Sequence, residues 1–223
     1  MSFGVKLHVW GDYACWTRPE MKVERVSYDV MTPSAARGIL EAIHWKPAIV
    51  WVVDVIHVLN PIQFTSVRRN EVAVKIPVGS VKSALNRGDT DGLGLVVNDH
   101  HQQRAAMVLV KPSYVIEAHF ELTNRADYSD TAAKHIAMFK RRAATGQCFH
   151  RPYLGTREFA AHFELIEGEL PASTLPIHQR NRDLGWMLQD IDHGNDHKPY
   201  FFRAALVDGA MAVPRLNSKD VVA

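Results

Sequence analysis

The chain has 223 residues, 47% of them hydrophobic and 22% charged, with a formal net charge of +2. This composition is ordinary for a globular protein with a sizeable core, and so small a net charge does not by itself indicate a polyanion as ligand. No run of about 18 apolar residues is present, so we expect no membrane span. Two cysteines, Cys15 and Cys148, are too few for a disulfide framework, which fits a cytoplasmic protein.

The first half of the chain predicts one helix among several strands. Residues 5–10 alternate apolar and polar side chains, as in a half-buried strand. A helix with an apolar stripe follows over 34–45, with Thr32 as its cap and a proline that stops it two residues later. Residues 48–59 are rich in β-branched side chains, as in a buried strand, and residues 63–76 continue as an alternating segment.

The second half repeats this pattern after a polar interruption. Residues 78–104 are polar and contain several glycines, so we expect a long loop or hairpin that leaves the core. A further apolar strand region follows. The next helix has Ser129 or Asp130 as its cap and Gly146 just past its end, and an alternating strand follows over 157–166.

The order strand-helix-strand-strand-helix-strand is that of a ferredoxin-like domain. We therefore predict an α+β protein with a ferredoxin-like (RRM-type) N-terminal domain over 1–166. Residues 167–223 contain two strand-like stretches joined by a turn at Asp208 and Gly209. They predict a small C-terminal antiparallel β-sheet, as an appendage and not as an independent domain.

Positive charge is clustered along the chain. Arg68 and Arg69 are adjacent, and Lys140, Arg141 and Arg142 form a run, whereas most acidic residues are scattered. Clusters of this kind at a nearly neutral total charge favour a groove for a polyanion. Solvated charged faces produce the same pattern, so both interpretations stay open.

Lys134 and His135 stand side by side near the start of the second predicted helix. Free N–H groups and the positive end of the helix dipole favour a phosphate there. In a ferredoxin-like domain the end of the first helix lies beside the start of the second, so we expect His44 next to this pair. The alternatives are a solvated lysine, a partly buried histidine and an ordinary helix-end histidine.

Two histidines and a lysine suffice to cleave RNA without a metal. One histidine takes the proton of the 2′-hydroxyl, the other protonates the leaving 5′-oxygen, and the lysine stabilises charge on the phosphorane. The products would carry a 2′,3′-cyclic phosphate and a 5′-hydroxyl. DNA lacks the 2′-hydroxyl, so it could bind but would not be cut.

Four segments resemble one known family. They are GDYACWTRPEMKVERVSYDVMTPSAARGILEAIHWKP, VLNPIQFTSVRRNEV, AAKHIAMFKRR and FHRPYLGTREF. In this order and spacing they look like the CRISPR-associated endoribonuclease of type I-C (Dvulg) systems, which belongs to the RAMP superfamily. The resemblance covers nearly the whole chain and weakens in 78–104 and in the C-terminal tail.

The resemblance implies a defined function. The family cuts CRISPR repeat transcripts at the 3′ base of the repeat hairpin, without metal, and stays with the guide RNA as a subunit of the interference complex. Its catalytic lysine and histidine fall on Lys134 and His135. Its third catalytic position, commonly tyrosine, falls on His44, and which residue is the general base stays open. The alternative is a non-catalytic subunit that binds the guide's 5′ handle or a nucleic-acid duplex.

The remaining predictions concern RNA contacts and metals. The expected RNA-binding residues are Arg68, Arg69, Lys140, Arg141, Arg142 and Gly155. Gly155 is either a turn glycine or, as the superfamily's glycine-rich loops imply, a point where the RNA backbone comes close. Double-stranded DNA is a further candidate ligand. We predict no cofactor and no metal, because the histidine-bearing stretches at 100–101 and 192–197 have no standard ligand spacing.

Overall fold

A computed structural model describes residues 4–194 and 196–223. The helices are α1 (Pro33–Ile43), α2 (Val78–Arg87), α3 (Ala132–Ala144) and α4 (Ile177–Arg180). The strands are β1 (Val5–Trp10), β2 (Tyr13–Ala14), β3 (Arg25–Val26), β4 (Ile49–Val58), β5 (Phe64–Val72), β6 (His101–Val110), β7 (Ser113–Leu122), β8 (His162–Ile166), β9 (Arg182–Asp192), β10 (Lys198–Leu206), β11 (Ala210–Ala212) and β12 (Val221–Val222). Among the residues so described, no helix is both long and apolar enough to span a bilayer.

The largest sheet has the strand order β11-β4-β7-β1-β8, and all its neighbours are antiparallel. The chain passes through it as β1-α1-β4-β7-α3-β8. A second sheet has the order β12-β10-β9, and in a third β6 lies between β2 and β3 and also pairs with β5. The predicted mixture of helices with antiparallel sheets is therefore confirmed. The last short strand of the main sheet, β11, comes from the C-terminal region and pairs with β4.

The core lies between the main sheet and the helices α1 and α3. Alternate residues of β1 are buried, and two of them, Leu7 and Val9, have no exposed surface. From α3, Phe139 is equally buried, and its ring contacts that of Trp51 on β4 at 4.9 Å between centroids. Each fully buried apolar side chain of this size contributes about 1.5–3 kcal/mol. The helices are thus held to the sheet by ordinary apolar burial.

The ends of both core helices differ from the prediction. The helix α1 ends at Ile43, and His44 adopts an extended conformation with φ −150° and ψ 115°. The predicted end at residue 45 was therefore wrong. The cap of α3 is Thr131, whose Oγ1 accepts a hydrogen bond from the N–H of Lys134 at 3.3 Å. The prediction of Ser129 or Asp130 was wrong because Thr131 is the residue immediately before the first helical turn.

Two strand boundaries were also missed. The apolar region before α3 is two strands, β6 and β7, because Lys111 has a positive φ of 46° and Pro112 follows it. The strand predicted over 157–166 is shorter and begins at His162. Before it the chain makes a turn, in which the N–H of Phe159 donates to the carbonyl of Thr156 at 3.0 Å.

Residues Ser66–Ala106 form a compact unit distinct from the rest of the chain. We call this segment the second unit. Where we expected a loop or hairpin, it contains the helix α2, which ends at Gly88 with φ 74°. Its surface carries eight aliphatic residues that are each at least 40% exposed: Val72, Val74, Ile76, Val78, Val81, Leu85, Val96 and Val97.

Candidate active site

His44 and His135 are brought together at the end of α1. The side chain of His44 has no exposed surface, and that of His135 is 1% exposed. The Nε2 atom of His44 lies 3.0 Å from Nδ1 of His135, a hydrogen-bond distance. His44 reaches this position because the backbone leaves the helix there, while its N–H still donates to the carbonyl of Leu40 at 2.9 Å.

The other ring nitrogen of His135 faces a carboxylate. Its Nε2 lies 3.2 Å from Oδ1 of Asp130, in the loop before α3. The alignment falls short of a hydrogen bond, so this nitrogen has no hydrogen-bond partner among the described residues. The contact is therefore electrostatic. The ring of Phe120 packs edge-on against that of His135, at 5.9 Å between centroids, and completes an apolar wall.

Lys134 points to the outside of the same helix end. Its Nζ donates to the carbonyl of Ser129 at 3.1 Å and lies 3.6 Å from Oδ1 of Asp130. Its side chain is 45% exposed, whereas the neighbouring histidine is buried. Adjacent helical residues do not share a face, which explains the difference. Asp130 therefore contacts both members of the pair through the same oxygen atom.

Arg142 turns inward from the last turn of α3. Its Nη1 donates to the carbonyl of Ile43 at 3.0 Å and lies 3.4 Å from Nδ1 of His44. Burial, and after it the electrostatic effect of Arg142, His135 and Lys46, lowers the pKa of His44 to about 4. His44 is therefore a neutral imidazole at neutral pH.

Exposed aromatic side chains surround this helix end. Trp45, next to His44, is 53% exposed, Phe149 is 91% exposed and Tyr128 is fully exposed. Phe149 is tied to α1, because its N–H donates to the carbonyl of Ala42 at 2.7 Å. Tyr128 lies two residues before Asp130. Tyr128 and Phe149 were not predicted as site residues, and no pattern around them in the sequence indicates their position.

The other basic residues predicted to bind RNA lie in two places. On α3, Lys140 has its Nζ 3.7 Å from a carboxylate oxygen of Glu167, and Arg141 is exposed. On β5, Arg68 is exposed, and Arg69 pairs with Glu71 at 3.1 Å. These two arginines belong to the second unit. RNA binding by all of them stays a prediction.

Gly155 is required by the chain itself. Its φ is +89°, and an added Cβ atom would lie 1.9 Å from the carbonyl oxygen of Cys15. Only glycine fits so close to another backbone segment. This favours the interpretation as a turn glycine. Gly155 also lines a cleft of about 430 Å³ with Trp16, Arg37 and His150, so an RNA contact there stays a prediction.

The histidine-bearing stretches at 100–101 and 192–197 form no metal site among the described residues. Among residues 4–194 and 196–223, no group of three or more histidine, cysteine, aspartate or glutamate side chains is arranged to hold a metal ion. His193 and His197 contact each other at 2.9 Å between their Nδ1 atoms. Asn195, within the same stretch, lies outside the described residues. Cys15 and Cys148 are free thiols.

Comparison with known proteins gives first the class and then the family. The family model described as CRISPR-associated protein (Cas_Cas5) matches residues 4–214, which is most of the chain. Within that class the match is to the Cas5d model, and the chain belongs to the Cas5d family.

Two relatives agree with this assignment, and one solved structure shares the fold. The chain is 56% identical over 223 residues to the CRISPR pre-crRNA endoribonuclease Cas5d of Mannheimia succiniciproducens, covering 99% of each chain. It is 39% identical over 229 residues to the protein of the same name from Thermus thermophilus, covering 94% of this chain and 91% of the relative. A crystal structure of a CRISPR-associated protein matches with a TM-score of 0.70 at 22% identity, covering 99% of this chain and 96% of that one, and shows the fold alone.

Proposed function

We propose that the chain is an endoribonuclease that cuts the precursor transcript of a CRISPR array into guide RNAs. The observation that carries this proposal is the 56% identity, over 99% of both chains, to a relative named as a pre-crRNA endoribonuclease. The meeting of His44 with His135 beside the exposed Lys134 supports it, because these groups supply the chemistry such a cut requires.

The reaction we propose needs no metal. One histidine takes the proton of the 2′-hydroxyl, whose oxygen attacks the adjacent phosphorus, and the other histidine protonates the 5′-oxygen as its bond to phosphorus breaks. Lys134 stabilises the extra negative charge on the phosphorane. The products are a 2′,3′-cyclic phosphate and a 5′-hydroxyl. The cut falls at the 3′ base of the repeat hairpin, as the resemblance implies.

RNA must reach a buried pair. Because neither histidine ring has appreciable exposed surface, binding requires the side chains at the end of α1 to move. The exposed rings of Trp45, Tyr128 and Phe149 offer surfaces on which unpaired bases can stack, and stacking contributes about 1–3 kcal/mol per base. This binding can offset the cost of opening the site.

The finer assignments of fold and partners belong to the same proposal. The strand order β4-β7-β1-β8, with α1 and α3 as the crossovers, supports a ferredoxin-like domain. A division into 1–166 and 167–223 stays a prediction, as does the cytoplasmic location. We further propose that the chain remains bound to the guide RNA as a subunit of the type I-C interference complex, with double-stranded DNA as an additional ligand.

The experiment uses the purified chain and its own repeat RNA in excess EDTA. Cleavage at one position, with a 2′,3′-cyclic phosphate on the upstream product, is expected. An unrelated hairpin and a repeat with a 2′-deoxy nucleotide at the cut site should stay intact. His44→Ala should lower the single-turnover rate by about two to four orders of magnitude with little change in RNA affinity. Activity that disappears with EDTA and returns with magnesium or manganese would contradict the mechanism.

A second candidate function is favoured by the burial of both histidines. A chain that binds the guide's 5′ handle or a nucleic-acid duplex without cutting it would have no need of exposed catalytic groups, and here the rings are 0% and 1% exposed. The same experiment separates the two functions. Tight binding of the repeat with no product under any condition would favour the non-catalytic function.

A further inference from the structure

The histidine pair is the middle of a longer line of side chains. Asp130 lies at one end, with Oδ1 3.2 Å from Nε2 of His135. The two rings meet at 3.0 Å, through Nδ1 of His135 and Nε2 of His44. Arg142 lies at the other end, with Nη1 3.4 Å from Nδ1 of His44. The line thus runs from a carboxylate to a guanidinium through both imidazoles.

The groups at the two ends of this line allow only one placement of the ring protons. A guanidinium only donates hydrogen bonds and an ionised carboxylate only accepts them, whereas a neutral imidazole has one nitrogen of each kind. Facing Arg142, Nδ1 of His44 must be the acceptor, so the ring proton of His44 is on Nε2. That proton is donated to Nδ1 of His135, whose own ring proton is then on Nε2, opposite Asp130.

The opposite arrangement of protons is unfavourable at both ends. It would set an N–H of His44 against the N–H of the guanidinium and would turn a lone pair of His135 toward the carboxylate. The contact with Asp130 is not aligned as a hydrogen bond, but a negative charge at 3.2 Å still favours a proton on the facing nitrogen over a lone pair. Geometry and charge therefore select the same state.

We propose that Asp130 and Arg142 are positioning residues that hold the histidine pair in this one tautomeric state, with the ring proton of each histidine on Nε2. The consequence for catalysis rests on the proposed endoribonuclease function. When RNA separates the two rings, His135 keeps its carboxylate neighbour and His44 its guanidinium neighbour. An additional proton is then stabilised on His135 and disfavoured on His44. Separation of the rings leaves a free lone pair on Nδ1 of His135 and a free N–H on Nε2 of His44. This makes His135 the general base for the 2′-hydroxyl and His44 the proton donor to the leaving 5′-oxygen.

Asp130 contacts both Lys134 and His135, which are adjacent in the sequence. Its Oδ1 atom lies 3.6 Å from Nζ of Lys134 as well as 3.2 Å from His135. The charged groups that face the line are Asp130 and Lys134 at one end, and Arg142 and Lys46 at the other. Asp130 is the only negative group of these four, so its removal takes away the only charge among them that favours an additional proton on His135.

Histidine side-chain ¹⁵N NMR at pH 7 tests the proposal directly, because it distinguishes a protonated ring nitrogen from an unprotonated one. Both rings of the wild-type protein should have a protonated Nε2 and an unprotonated Nδ1. Asp130→Asn, which is nearly isosteric, should give a mixture of tautomers at His135. It should lower the single-turnover cleavage rate about ten- to a hundredfold, the usual effect of losing an orienting partner, with unchanged affinity for a 2′-deoxy repeat. Asp130→Glu, which keeps the charge, should recover part of the cleavage rate and part of the single tautomer at His135.

Asp127→Asn is the matched control, since Asp127 lies in the same loop and its carboxylate accepts a hydrogen bond from the N–H of Ser129 instead of contacting a histidine. It should leave the tautomers and the rate unchanged. A ring proton on Nδ1 of either histidine in the wild type would overturn the proposal. So would an Asp130→Asn variant with wild-type tautomers and rate. If the wild type cuts no RNA, the proposed function fails, while the NMR spectra alone still decide whether the tautomers are fixed.

Discussion

Burial of His44 should make the protein lose stability in mild acid by an amount that can be worked out. The pKa of His44 is about 4 in the folded protein, against an ordinary value of 6.5. Between these two pH values the unfolded chain binds a proton that the folded chain does not, so stability falls as the pH drops from 6.5 to 4. Below pH 4 both states are protonated, and this loss ends. At about 1.4 kcal/mol per pH unit, the largest loss is about 3 kcal/mol.

Urea unfolding at intervals between pH 7 and pH 4 measures this loss. His44→Gln keeps a polar side chain of similar reach but cannot titrate. Between pH 7 and pH 4, the free energy of unfolding of this variant should therefore fall by about 3 kcal/mol less than that of the wild type. His178→Gln removes an exposed histidine from α4 and should follow the wild-type curve. Parallel curves for the wild type and His44→Gln would refute the argument that burial and Arg142 keep His44 neutral.

Three further predictions follow from single positions. Gly155→Ala should destabilise the protein by about 3 kcal/mol in urea unfolding, because its methyl group would meet a backbone carbonyl oxygen at a positive φ. Gly38→Ala should instead stabilise the protein by about 1 kcal/mol, because Gly38 has open space around it in the middle of α1. Phe149→Ala should weaken binding of a 2′-deoxy repeat about tenfold in fluorescence anisotropy, and Ile177→Ala, a similarly exposed residue at 83%, should not. Lys134→Ala should lower single-turnover cleavage about a hundredfold without changing the product ends, and Lys134→Arg should restore part of the rate; full activity of Lys134→Ala would remove the lysine from the mechanism.

The meeting of His44 with His135 could be predicted because it follows from topology. Once alternating and helical patterns had given the order of strands and helices, the usual arrangement of such a domain brought the end of α1 beside the start of α3. The apolar stripes that make these helices pack on the sheet are local features of the sequence. The burial of both rings was not predicted, because it depends on side chains from other segments, such as Phe120.

The roles of Asp130 and Arg142 could not be read from the sequence for a related reason. Three residues before α3, from Ser129 to Thr131, are all good helix caps, and only the backbone path decides which of them is used. A long arginine side chain can point to solvent or back along its helix. The side chain of Arg142 turns inward because the last carbonyl groups of α1 need hydrogen-bond donors. That need exists only in the folded protein.

The apolar surface of the second unit has a practical consequence for handling the protein. Sulfate and similar salts strengthen the attraction between exposed aliphatic groups, while any salt weakens attraction between charges. A concentration of sulfate chosen to remove co-purified nucleic acid would therefore also favour self-association through residues such as Val78 and Leu85, which are 69% and 80% exposed. Chloride salts weaken charge attraction without strengthening apolar association to the same extent, so the choice of anion should change how strongly the purified chain self-associates.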